Sequence, residues 1–478
     1  MTKKKQKLNQ KETPFISSIR GYVKKGIVPF HTPGHIQGRG ISKSFADLFN
    51  NPLLYDLAEV EHPSSHHDYE VARREAEKLL ADLYQVERSF FLINGTTEGL
   101  HALLIAFFSD KGKKKTVLLP RNSHRSIVDG LILTGAKPIW VYPEIDTQFG
   151  LATVCKTSNW NKPRHIDGAF HLYPNYYGLC QNLEGQVIEG VFNLVDEAHG
   201  PHLKFSERLP KTALDFDITA SVQSAHKILP ALTQSSWLHV KNKKDVLAIE
   251  RALGLVESTS PNFLLWASLD GARAQEANNP GRWDKALDRV LHLRDELKKI
   301  PEVSVFEPDG NHPEIFSYDP FKLVVSSSKV GLNGFEFRDE LRKRGIMPEL
   351  AEANFVLFII TPSHTDQDLE LLKWACKDIV GNRKQRELST QAFFYPNLKA
   401  HLTPRQAFFA ENKRVALQEA RGLISAEMIV PYPPGIPLIM PGEEITKEVV
   451  ELTQYYRDLG TKLRGLEDQN AEYIRVVF

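Results

Sequence analysis

The chain has 478 residues, 42% hydrophobic and 25% charged, with 60 Lys+Arg against 59 Asp+Glu and a net charge of +1. That composition excludes a disordered chain, and the lack of a basic surplus argues against a protein built to bind nucleic-acid phosphates. No apolar run approaches the ~20 residues that span a bilayer, and the lysine-rich start MTKKKQKLNQK has no apolar stretch behind it to make a secretory signal. Three cysteines, Cys155, Cys180 and Cys376, form neither a disulfide framework nor a metal-ligand spacing. A cytoplasmic protein of two to four domains is expected, at about 100–200 residues per domain.

Residues 1–70 read as loop-rich. From Tyr69 the spacing predicts a helix with Val71, Ala72, Ala76, Leu79, Leu80 and Leu83 on one face. An α/β rhythm follows: helix Gly99–Phe108, strand Thr116–Leu119, helix Ser126–Thr134 and strand Pro138–Tyr142. Strand-like runs Gly168–Tyr173, Phe192–Val195, Ile218–Gln223 and Ser236–Val240 come next. Short apolar runs alternating with helices predict a mostly parallel sheet covered on both faces. Helices are then expected over Asp245–Val256, Leu264–Ala274 and Trp283–Leu297. A smaller α/β unit reads as strand Lys322–Ser326, helix Phe335–Arg344, strand Phe355–Thr361 and helix Asp366–Val380. The charged run Gly381–Glu387 reads as a linker, and the prolines at 431, 433, 434, 437 and 441 exclude a helix or a central strand there.

Four local patterns carry possible chemistry. Gln223-Ser-Ala-His-Lys227 ends a strand; taken alone, Lys227 reads better as an exposed lysine. Leu194-Val-Asp-Glu-Ala-His-Gly200 puts Asp196 at the C-terminal end of an apolar strand, where open α/β sheets bind ligands, although it reads equally as the cap of a turn. Asn94-Gly-Thr-Thr97 opens an apolar helix, which suits either an anion cradle or simple N-capping. Arg121-Asn-Ser-His-Arg125 offers His124 as a ring to stack on a flat ligand or as a helix cap. Together they meet one need, that of a pyridoxal phosphate enzyme: a lysine, an acid for the pyridine nitrogen and a phosphate cradle.

The ordered set resembles the bacterial ornithine/lysine/arginine decarboxylases. The matching segments are PFHTPGH (29–35), FFLINGTTEG (90–99), PRNSHRS (120–126), YPNYYG (173–178), LVDEAHG (194–200), QSAHK (223–227), TSPNFLLWASLDGAR (259–273), GIMPELAE (345–352) and YPPGIPLIMPGE (432–443). The resemblance implies an α/β fold. Its large domain is fold-type-I and aspartate aminotransferase-like, with a mixed, mostly parallel sheet; a smaller C-terminal α/β domain accompanies it. It implies an N-terminal segment over 1–70, a cofactor-binding large domain over 71–315, a small domain over 316–385 and a C-terminal decarboxylase-family domain over 386–478. The chain looks like the shorter branch, which lacks an N-terminal wing domain.

Residue by residue, the resemblance makes Lys227 the lysine that bonds pyridoxal 5'-phosphate and Asp196 the acid on the pyridine nitrogen. It sets His199 close to the ring and His124 stacked on it. Gly95, Thr96, Thr97, Ser224 and His226 match phosphate-side residues, and Glu349, His31 and His35 match segments near the substrate pocket. It implies decarboxylation of a basic L-amino acid, arginine, lysine or ornithine, to agmatine, cadaverine or putrescine in polyamine biosynthesis, by a homodimer or higher homo-oligomer with no nucleic-acid or membrane partner. Another fold-type-I reaction, such as transamination, or a catalytically silent relative remain the alternatives; an aminotransferase wants an arginine on the substrate carboxylate, and Arg273 and Arg405 are the residues to locate. No metal is expected, despite the His62/His66/His67 cluster. The chain departs from the family at Val60–Asp68, where an acid pair is missing, in a shortened crossover over 178–191, and at Asn175, where relatives have threonine.

Overall fold

In the computed structural model, which describes residues 8–26, 28–30, 32–46, 52–57, 69–109, 112–160, 165–381, 383, 386, 396–432 and 434–478, the chain divides into two units. The first comprises residues 1–103, 196–207 and 211–281, the second 104–195, 208–210 and 282–478.

In the first unit, strands Arg88–Leu92, Ser236–Val240 and Ala220–Gln223 pair antiparallel in that order, with Phe91 opposite Trp237 and Trp237 opposite Gln223. Helix Gly95–Phe108 lies close over these strands because Gly99 allows it: a Cβ there would sit 2.7 Å from both Leu92 and Val222 side-chain carbons. The segment read as loop-rich contains a helix, Pro14–Lys24, with proline at its start and Phe15, Ile19 and Tyr22 buried. Phe15 meets Phe263 and Trp266 edge-on at 5.4 and 5.5 Å, and Tyr69 meets Phe263 at 4.7 Å. The aromatic residues of the SPNFLLW segment therefore form a core between helices Pro14–Lys24, Tyr69–Tyr84 and Phe263–Asn278. Asp270 accepts from the backbone N–H of Phe15 and Ile16, a helix cap supplied from more than 250 residues away.

In the second unit, strands Phe192–Asp196, Gly168–Leu172, Thr116–Pro120 and Lys137–Val141 lie in that order, and Thr116–Pro120 pairs parallel with both of its neighbours. Antiparallel pairs in one unit and parallel pairs in the other match the expected α/β class with a mixed sheet. A four-stranded antiparallel sheet holds Lys322–Ser326 against Val356–Ile359. The departure at Asn175 has a local reason. Its amide donates to the carbonyls of Ala152 and Thr153 and accepts from the N–H of Tyr177 and Leu179. It thereby fastens the turn to the hairpin strand Leu151–Cys155, a set of bonds that threonine's single hydroxyl lacks. The crossover over 178–191 is a three-residue strand, Leu179–Gln181, paired with Ile315–Tyr318, then one helical turn, Leu183–Gln186, capped by Asn182. Beyond residue 400, Leu417, Ile429, Leu438, Ile439, Ile445, Val449, Ile474 and Val476 form a separate core. Among the described residues no helix is long and apolar enough to cross a membrane.

Candidate active site

The first unit brings most of the sequence-predicted residues together. Strand Phe192–Asp196 ends on Asp196, which is buried. The turn after it is tied to the neighbouring chain by two backbone bonds, Glu197 N–H to Val222 O at 2.9 Å and Ser224 N–H to Ala198 O at 3.3 Å. Those bonds set the DEAH turn against the one-turn helix Ala225–Ile228 that carries Lys227. Lys227 Nζ consequently lies 2.9 Å from His199 Nε2. Burial pushes the Asp196 carboxyl above its ordinary range, while the charge of Lys227 and the Ala198 N–H pull it back down.

At the start of helix Gly95–Phe108, Thr96 Oγ1 contacts Ser224 Oγ and lies 3.1 Å from Ser236 Oγ. Ser224 occupies the N-cap of helix Ala225–Ile228 yet makes no cap bond with its side chain; its hydroxyl pairs with that of Thr96 instead. Thr97 is half-buried beside it, and Gly95 donates to Gln234 O at 2.8 Å with φ of 73°. His226 Nδ1 lies 2.9 Å from Ser235 O, and burial, followed by the charge of Lys227, holds its imidazole below the usual range. The donor set fits pyridoxal phosphate: an amine and an acid within electrostatic reach of one another, and buried hydroxyls at the positive end of a fourteen-residue helix.

The second unit holds His124 and Glu349. His124 caps helix Arg125–Thr134, its Nδ1 accepting from Ser126 N–H at 3.3 Å and lying 2.8 Å from Ser126 Oγ. Glu349 is exposed and accepts from the Tyr176 hydroxyl at 2.6 Å; burial, then the charge of Glu349 and this bond, raise the Tyr176 pKa. In the first unit His35 bonds Asp56 at 3.1 Å. His31, Glu61, Asp68 and the His62/His66/His67 cluster lie outside the described residues.

Two arginines left open by the sequence are committed elsewhere. Arg273 is fully buried and donates to Gln10 O, Gln10 Oε1, Glu12 O and Asp270, so it fastens the N-terminal segment. Arg405 donates to the last carbonyls of helix Arg125–Thr134, those of Ile132 and Leu133. Sequence reasoning missed Glu197. Its carboxyl is fully buried and accepts from Thr212, Ala213, Ser221 and Gln223 at 2.7–2.9 Å, and burial still lifts its pKa to about 7. The signal was an acid adjoining Asp196 with no solvated position for it at the end of a buried strand.

The family model described as "Orn/Lys/Arg decarboxylase, major domain" matches residues 13–368, and the one described as "Orn/Lys/Arg decarboxylase, C-terminal domain" matches 384–469. An arginine decarboxylase of Bacillus subtilis (strain 168) is 31% identical over 98% of this chain and 99% of its own length. The constitutive lysine decarboxylase of Escherichia coli (strain K12) is 25% identical over 97% of this chain and 81% of its own. The crystal structure of the Francisella novicida lysine decarboxylase superposes with a TM-score of 0.84 at 21% identity, covering 98% of this chain and 81% of that one. The chain therefore belongs to the Orn/Lys/Arg decarboxylase family of pyridoxal phosphate-dependent, fold-type-I enzymes.

Proposed function

We propose that the protein releases the α-carboxylate of a basic L-amino acid as CO2, with arginine or lysine ahead of ornithine, and so supplies agmatine, cadaverine or putrescine to polyamine biosynthesis. The observation that carries this reading is Lys227 Nζ at 2.9 Å from His199 Nε2, with Asp196 buried within electrostatic reach. Full-length similarity to proteins named arginine decarboxylase supports assaying arginine first.

Lys227 would hold the cofactor, and Asp196 would face its ring nitrogen. His124 and His199 would lie along the ring, and Gly95, Thr96, Thr97, Ser224 and His226 would line its phosphate. When bound, the cofactor supplies an electron-poor ring that takes up the electron pair left by departing CO2. Asp196 holds a proton on the ring nitrogen, because an opposite charge within a few Å favours the charged form. Lys227 Nζ and His199 Nε2 are close enough to share the proton that replaces the lost carboxylate. Arg273 and Arg405, bound to groups of the chain itself, leave the substrate carboxylate without their charge. A carboxylate held loosely is stabilised less in the ground state than one in a tight ion pair. Glu349 is assigned to the distal cation of the substrate, and His31 and His35 to the neighbourhood of the substrate pocket.

Similarity to the two family models supports a domain boundary near residue 385, with 1–70, 71–315 and 316–385 before it and 386–478 after it. Three buried thiols without a disulfide among the described residues fit a reducing, cytoplasmic setting. A homodimer is the assembly proposed, since two-fold dimers are the commonest soluble oligomer; sedimentation showing an active monomer would overturn it. The function is tested by assaying CO2 release from arginine, lysine and ornithine with added pyridoxal phosphate, and by borohydride reduction followed by peptide mapping. The expected result is CO2 from at least one of the three and a reduced cofactor on Lys227. Turnover of all three without CO2, or full activity of Lys227→Ala, would defeat the reading.

A further inference from the structure

Two segments singled out in the sequence, PRNSHRS and YPPGIPLIMPGE, are built into one another inside the second unit. Arg121 is fully buried. It donates through Nη1 to Pro437 O at 2.7 Å and through Nη2 to Leu438 O at 2.9 Å and to Glu443 Oε2 at 3.2 Å. Glu443 is likewise buried and accepts from Met440 N–H at 2.8 Å. Four residues along from Arg121, Arg125 N–H donates to Gly435 O at 3.0 Å, and Gly435 N–H donates to Pro431 O at 3.1 Å. Between these anchors stands His124.

The imidazole is held from both sides. Its Nδ1 edge is fixed by Ser126, as described above. Its opposite edge faces Gly435: a Cβ there would stand 3.1 Å from both Cδ2 and Nε2 of His124, and the Gly435 φ of 94° is one that side-chain-bearing residues rarely adopt. Only a glycine lets the loop backbone come this close to the ring. A buried Arg–Glu pair is costly to desolvate, and the best-attested use of one is to specify a single arrangement. Here it fixes two carbonyls of the loop that presses on His124.

We propose that Gly435 is a positioning residue for His124, and that Arg121 and Glu443 act through it by clamping residues 434–443 against the imidazole. The C-terminal region thereby has a part in the active site without touching the reacting atoms. The inference rests on the reading of His124 as the residue lying along the cofactor ring.

The experiment is a double-variant cycle on the full chain, read by the dissociation constant for pyridoxal phosphate and by the visible circular dichroism of the bound cofactor, with far-UV circular dichroism as the fold control. His124→Ala alone should weaken cofactor binding and reduce the visible signal. Gly435→Ala should weaken cofactor binding at least tenfold and alter the visible signal. In a His124→Ala background it should change binding less than twofold, because the ring it displaces is gone. Should Gly435→Ala fail to fold, Glu443→Gln loosens the clamp without backbone strain, and its effect, three-fold or more, should also vanish in the His124→Ala background. Fully multiplicative effects, or unaltered binding in Gly435→Ala or in a Glu443→Gln substitute, would overturn the clamp. A His124→Ala protein that binds cofactor normally, with an unchanged visible signal, would instead overturn the reading of His124 itself.

Discussion

Asp196 ends a buried strand, and two influences oppose each other on its carboxyl: burial favours the neutral form, and Lys227 with the Ala198 N–H favours the charged one. On the proposed assignment, removing the carboxylate would deprive the cofactor's ring nitrogen of the charge that holds its proton. Asp196→Ala should therefore keep its fold and some cofactor but lose about two to three orders of magnitude in kcat, the usual scale for one preorganised electrostatic group. Rapid-quench measurement of CO2 release checks this, and a loss below about tenfold would count against the role. Glu349 is a different case, since its carboxylate is exposed and held by the Tyr176 hydroxyl. Glu349→Gln keeps the shape and removes the charge. KM for the best basic substrate should rise about tenfold, near 1.4 kcal/mol, with cofactor binding unchanged. An unaltered kcat/KM would move recognition of the distal cation to Glu61 or Asp68.

The elements that carry the site are held by groups that are not part of it. Glu197 gathers four donors from Thr212, Ala213, Ser221 and Gln223, and so joins the DEAH turn to the strand that precedes Lys227. Glu197→Leu strands those donors in a dry interior at about 1–3 kcal/mol each for the ones that find no new partner. The protein should lose roughly 3 kcal/mol or more of stability and release cofactor at lower temperature, whereas Glu197→Gln should lose less. Thermal unfolding followed at the cofactor absorbance and in the far ultraviolet distinguishes the two, and equal midpoints for wild type and Glu197→Leu would refute the account. Why Glu197 escaped notice says what a sequence can reveal. The helix from Tyr69, the parallel strands and the smaller α/β unit were legible, because their apolar spacing is written within a dozen residues. Helix Pro14–Lys24 and strand Arg88–Leu92 were not: the first is capped by Asp270 and the second is paired with Ser236–Val240, partners remote in the chain. The segments that bring Asp196, His199 and Lys227, and Thr96 and Ser224, close together were legible as an ordered set of motifs. The supporting bonds of Glu197, Asn175 and Arg121 depend on carbonyls and hydroxyls that leave no local signature.

Across the whole molecule, the buried titratable groups set an expected course for stability with pH. Burial depresses His171 to about 4 and His239 to about 3. A histidine of this kind contributes stability that is complete above its unfolded value of about 6.5 and is lost as pH falls through the depressed value. Burial raises Glu98 and Glu197 to about 7, and desolvation raises the half-buried Glu352 to about 8. These acids act in the other sense. Their folded forms keep a proton that the unfolded chain has already released, so their contribution is complete below about 4.5 and is lost as pH rises through the raised value. Between about 4.5 and 6.5 the two histidines offset two of the three acids. Above 6.5 the histidine contribution is exhausted and only the acids still titrate, each at about 1.4 kcal/mol per pH unit. Stability should therefore fall from pH 6.5 to pH 8, and the part lost between 7 and 8 should trace mainly to Glu352. Calorimetry at constant ionic strength should show the unfolding midpoint dropping over that interval, and Glu352→Gln should take about a third off the slope between pH 6.5 and 7, where three acids titrate, and remove most of it between 7 and 8. A midpoint that rises from pH 6.5 to 8, or a Glu352→Gln profile with the same slope as the wild type, would show that these three acids do not govern the pH response.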